Sequence, residues 1–66
     1  MNRTKHAIVA TFWQLLEEKT YNKITVQDIV DRCHVNRNTF YYYFQDIPSL
    51  AEWSVEYLRV AFSLLQ

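Results

Sequence analysis

The chain has 66 residues, half of them apolar, with seven basic and seven acidic side chains, one Pro, one Cys and no Gly. A chain this short buries only about 60% of its unfolded surface, which leaves room for one thin core, one domain and no enclosed substrate cavity. An ordinary metabolic enzyme is excluded on size, and two Trp, five Tyr and four Phe exclude intrinsic disorder.

Without Gly and with a single Pro the usual hairpin signals are missing, and the chain reads as all-α. From Thr4 to Glu18, Ile8, Phe12, Leu15 and Leu16 recur at i, i+4, i+7 and i+8 and predict a first helix with one apolar stripe. Thr20 to Lys23 breaks the period and reads as a connection. Thr25-Val26-Gln27-Asp28 is a capping-box pattern that opens a second helix, in which Val26, Ile29, Val30 and Cys33 form the buried stripe.

A turn of about three residues follows, and Asn36 suits the cap of a third helix. Phe40 and Phe44 are four apart and face the core with Tyr43, whereas Asn38, Tyr41, Tyr42 and Gln45 point away from it. Three consecutive Tyr cannot all be buried, because successive helical residues point about 100° apart. Asp46 can cap a last helix from about Ile47 to Leu65, with Pro48 in its first turn. Leu50, Trp53, Tyr57, Leu58, Ala61, Leu64 and Leu65 make its stripe, widened by Val60 and Phe62, and an end apolar nearly all round needs other protein to cover it. Trp13 and Trp53 are expected to fill the core or an interface.

Cys33 is alone, and with His6 and His34 it falls short of a four-ligand zinc site, so no metal or other cofactor is expected. No apolar run follows Arg3 and Lys5, and Glu56, Arg59 and Ser63 interrupt Val55 to Leu65, so neither a signal peptide nor a membrane span is expected and the reading is cytoplasmic.

Two short helices joined by a tight turn, the second with an outward face of rings and amides, form a helix-turn-helix candidate for DNA. The runs Ile24 to Val30, Val35 to Phe44 and Asp46 to Leu50, with Ile8, Leu15, Leu16 and Tyr21 before them, resemble the N-terminal DNA-binding domain of the TetR family of bacterial transcriptional regulators. Thr39-Phe40-Tyr41-Tyr42-Tyr43-Phe44 is the most specific part. The resemblance implies a three-helix, homeodomain-like bundle over residues 1–46, with the helix-turn-helix at about 25–44. Residues 47–66 would be the start of a longer fourth helix, leading to a C-terminal ligand-binding and dimerisation domain absent from this chain.

The resemblance also implies that the third helix enters the major groove of a palindromic operator and that the full-length protein is a homodimer. It implies a ligand-released repressor whose small-molecule effector binds the missing domain, although some relatives activate instead. Gln27, Arg37, Asn38 and Tyr42 match positions that approach base edges. Thr25, Thr39 and Tyr41 match phosphate positions, Tyr43 stands where the family often has a His near the backbone, and Asn36 and Lys5 complete the expected phosphate contacts. The chemistry suits these roles, since Arg can donate two parallel bonds to guanine and an amide can pair with adenine, while hydroxyls hold phosphates without reading sequence.

Common family glycines are replaced by Thr20, His34 and Asn38, and a frequent Lys by Ile47. A left-handed backbone at His34 is accessible, because His is enriched in that region. The zero net charge opposes DNA binding. Residues 1–9 and 32–45, however, hold Arg3, Lys5, Arg32 and Arg37 with no acid, while Glu52 and Glu56 lie on the last helix. The competing reading is a small helical protein-interaction or coactivator module that dimerises through Val55–Leu65 without touching DNA.

Overall fold

The structure, a computed structural model, describes the backbone of residues 3–64 and the side chains of residues 3–56 and 59. Among the described residues four helices follow in order: α1 (Arg3–Glu18), α2 (Val26–Cys33), α3 (Arg37–Tyr43) and α4 (Ile47–Leu64), with a 3-10 turn at Tyr21–Lys23 between α1 and α2. Among the described residues there is no strand. The all-α expectation and the order of the helices therefore hold.

The core takes Ile8, Val9, Phe12 and Leu15 from α1, Ile24 from the connection, Ile29 and Val30 from α2, Phe40 and Phe44 from α3 and its end, and Leu50 from α4. The buried face of α1 is wider than the stripe read from the sequence: Val9 and Thr11 are buried and Leu16 is only partly so. The cause is that α1 packs against α2 on one side and meets Trp53 of α4 near its start. Trp13 is not a core filler. It stays 38% exposed and lies edge-on to Phe12, which Tyr21 also flanks edge-on.

The start of α4 falls at Ile47 although Pro48 follows, because Asp46 Oδ1 accepts the Ser49 N–H at 2.9 Å and caps the helix in advance of the ring. Leu50 and Ser54 are fully buried one turn apart, and the Ser54 hydroxyl donates to the Leu50 carbonyl at 2.8 Å. That internal bond lets a small polar residue sit in the core without an unpaired group. Of the apolar end expected over Val55–Leu65, the side chains of Tyr57, Leu58 and residues 60–65 lie outside the described ones. Val55 is exposed.

Candidate nucleic-acid interface

Two capped helix starts and one left-handed residue fix the angle between α2 and α3. The Thr25 hydroxyl accepts the Asp28 N–H at 3.1 Å, and the Asp28 carboxylate accepts the Thr25 N–H at 3.0 Å, the reciprocal capping box expected from Thr25-Val26-Gln27-Asp28. At the other end of α2 the backbone turns at His34, with φ 60° and ψ 41°, so that the Val35 N–H reaches back to the Val30 carbonyl at 3.2 Å. After His34, Val35 and Asn36 the third helix begins. Asn36 Oδ1 accepts both the Thr39 N–H at 2.8 Å and the Thr39 hydroxyl at 3.0 Å.

A Cβ in the left-handed region costs roughly 1–2 kcal/mol, part of which Gly gives back through its freer unfolded chain. His34→Gly is therefore expected to raise unfolding stability by up to about 1 kcal/mol. Urea denaturation checks this, and a loss of stability would show that the His34 side chain holds the turn by a contact of its own.

Below the interface an aromatic seam holds α3 in place. Phe40 and Phe44 pack at 5.9 Å between ring centroids, and Phe44 meets Trp53 of α4 edge-on at 6.1 Å. Lys5 of α1 stands with Nζ 4.4 Å above the Trp53 ring, and His6 lies beside the same ring. With Phe40 and Phe44 turned inward, the opposite face of α3 is displayed: Arg37, Asn38 and Tyr41 are exposed, and Tyr42 is 81% exposed. Gln27, Thr25 and Asn36 are exposed too, whereas Lys5, Thr39 and Tyr43 are half-buried. Tyr43 holds the Tyr42 ring edge-on at 4.9 Å.

Two of the expected base readers are bonded to each other. Arg37 Nε donates to Gln27 Oε1 at 3.1 Å, which links the start of α3 to the first turn of α2. Gln27 Nε2 in turn donates to Asp31 Oδ1 at 2.6 Å. Asp31 is not among the residues expected from the sequence to serve the site. Its signal was the four-residue spacing from Gln27 on one helix face.

The charge pattern is tighter than the sequence suggests. Arg32, counted above as a cation of an acid-free stretch, holds Glu18 with both terminal nitrogens, at 2.7 Å through Nη2. Lys19 pairs with Asp28 at 3.1 Å, and Arg59 with Glu56 at 2.7 Å. The hydrogen bond from Arg32 holds the Glu18 carboxyl below its ordinary range. The Thr25 N–H, and then Lys19, do the same for Asp28. Groups depressed in the folded state add stability that is present above their unfolded titration range and is lost as the pH falls through the folded one. The urea midpoint is thus expected to drop as the pH falls below about 4. An unaltered acid limb in the Glu18→Gln, Asp28→Asn double variant would contradict this.

Residues 8–52 match the model of the bacterial regulatory proteins of the TetR family. The chain belongs to the TetR family. A similar relative is the HTH-type dhaKLM operon transcriptional activator DhaS of Lactococcus lactis subsp. lactis (strain IL1403), 36% identical over 53 residues. That alignment covers 80% of this chain but 28% of the relative, so the chain spans less than a third of that protein's length. No solved structure gives a significant match. TetR-family proteins are DNA-binding transcription regulators rather than enzymes, and α2 and α3 form the helix-turn-helix of such a domain. His34, the residue expected from the family resemblance to stand in place of a turn Gly, is the one non-Gly residue with positive φ among the described residues. Among the described residues, no helix is long and apolar enough to cross a membrane.

Proposed function

We propose that this TetR-family domain reads a palindromic DNA operator in the cytoplasm by placing α3 in the major groove, as one half of a homodimer. The observation that carries the reading is the division of α3 into a buried Phe40–Phe44 edge and an exposed edge bearing Arg37, Asn38 and Tyr42. A helix about 10–12 Å across fits a groove about 12 Å wide. Arg37, Asn38 and Tyr42 reach base edges, and Gln27 joins them through its bond to Arg37. Thr25, Asn36, Thr39, Tyr41, Tyr43 and Lys5 hold the sugar-phosphate backbone on either side. The Thr25 hydroxyl oxygen accepts from Asp28, and its own proton is the donor offered to a phosphate.

Residues 1–46 form the reading core, and residues 47–66 lead toward a ligand-binding and dimerisation domain, in keeping with the greater length of the Lactococcus relative. Regulation follows the ligand-released repressor pattern that the family resemblance implies. A second reading, activation, is favoured by the name of that relative, a transcriptional activator. A reporter fused to the operator separates them: deleting the regulator raises expression under a repressor and lowers it under an activator.

One half-site offers few contacts, so the 66-residue chain is expected to bind duplex DNA at about 10⁻⁴ to 10⁻⁶ M at physiological salt. Among the described residues Lys19, Arg32 and Arg59, of seven Lys and Arg in the chain, stand in ion pairs. With at most four cations for phosphates, the slope of log affinity against log salt is expected to be no steeper than about −4. Fluorescence anisotropy at several salt concentrations measures both. A nanomolar, salt-insensitive complex of the monomer, or concentration-dependent self-association with no response to duplex, would overturn the reading.

A further inference from the structure

Among the described residues Arg37 is held on one side only, and by a chain of groups whose polarity favours one arrangement. Its Nε donates to Gln27 Oε1, and Gln27 Nε2 donates to Asp31 Oδ1. Guanidinium has only donors and an ionised carboxylate only acceptors, so an amide lying between them must turn its oxygen to Arg37 and its nitrogen to Asp31. Arg37 and Asp31 thus favour the same orientation of Gln27, and Asp31 anchors its nitrogen end so that the oxygen is held toward the reading residue. A neutral amide at position 31 would bond to either end of Gln27 and weaken that anchor, leaving Arg37 alone to oppose a flipped Gln27 whose NH2 would face its donor.

The nitrogen taken by Gln27 is Nε. The two terminal nitrogens are left for a ligand, and their parallel fork matches the O6 and N7 acceptors of guanine. We infer that Gln27 and Asp31 are positioning residues that aim Arg37 end-on at a guanine of the half-site, so that Asp31 sets base preference without touching DNA. This rests on the reading that Arg37 contacts bases. The geometry also accounts for an acid in the second helix of a chain with zero net charge, where a carboxylate beside a DNA surface otherwise only repels phosphates.

The test is a selection from short duplexes with a randomised centre, captured by the chain and sequenced, with affinity for unselected duplex and thermal melting measured alongside. In Asp31→Asn, guanine enrichment at the most selective position is expected to fall about fivefold or more, while affinity for unselected duplex is not weakened and melting is unchanged. Adding Gln27→Glu to Asp31→Asn restores the polarity with the same net charge, since the new carboxylate accepts from both Arg37 and the Asn amide, and the bond at Arg37 Nε is expected to return. In the free chain, heteronuclear NMR should show the Arg37 Nε proton protected from exchange in the parent and the double variant but not in Asp31→Asn. Full guanine enrichment in Asp31→Asn, or an Arg37 Nε proton left unprotected in the double variant, overturns the positioning role. Guanine enrichment that survives Arg37→Ala overturns instead the reading on which it rests.

Discussion

Phe40→Ala is expected to lower the unfolding stability of the chain by about 3–5 kcal/mol. Phe40 is fully buried and, among the described residues, is the largest side chain in that state, with Phe44 at 5.9 Å and the Tyr41 ring edge-on at 5.3 Å. Removing a buried Phe costs about 3–5 kcal/mol, because the surroundings only partly close the cavity. A chain of this length has about 3–10 kcal/mol of stability in all, at 0.05–0.15 kcal/mol per residue. The loss takes roughly 30% of that reserve at the least, and all of it if the chain lies at the lower end. Far-UV circular dichroism during urea denaturation measures it, and a midpoint close to that of the parent would show that α3 is held by something other than its aromatic seam. Phe40→Leu, which keeps most of the volume, should cost far less and retain DNA binding, so that loss of binding in Phe40→Ala is traceable to the fold.

That dependence explains which features could be read in the sequence. The caps at Thr25, Asn36 and Asp46 bond to N–H groups three residues on, so the pattern that announces each is complete within four residues. The split of α3 into buried Phe40 and Phe44 and displayed Tyr41 and Tyr42 follows from the helical period alone. Ser54 was not legible as core, since its burial depends on how near α4 comes to the other helices, and only its bond to Leu50 makes the position tolerable. Arg32 looked like a cation available to DNA because Glu18 stands fourteen residues away on another helix. Arg37 and Gln27 meet across ten residues and a left-handed turn, so each could be picked out as a candidate reader but not their bond. Features fixed within one turn of helix were therefore readable, and those fixed by the packing of one helix on another were not.

Arg37→Ala is expected to relax base preference by about 1–3 kcal/mol at one position of the half-site, roughly 5- to 150-fold, with smaller loss on unrelated duplex. Thr25→Ala and Tyr41→Phe each remove a hydroxyl assigned to a phosphate, so they should weaken all duplexes alike and leave the ranking of sequences intact. Thr25→Ala also removes a helix cap worth about 1 kcal/mol, and its binding must be compared at a temperature where circular dichroism shows the variant folded. Tyr41→Phe keeps the ring that packs edge-on to Phe40 and makes the cleaner comparison. Anisotropy titrations against duplexes differing at single base pairs separate the two kinds of loss. Three variants with equal loss of preference would mean that α3 does not divide its work between bases and backbone. A ranking untouched by Arg37→Ala would mean that the reading edge lies elsewhere on the displayed face, with Asn38 and Tyr42 the next side chains to replace.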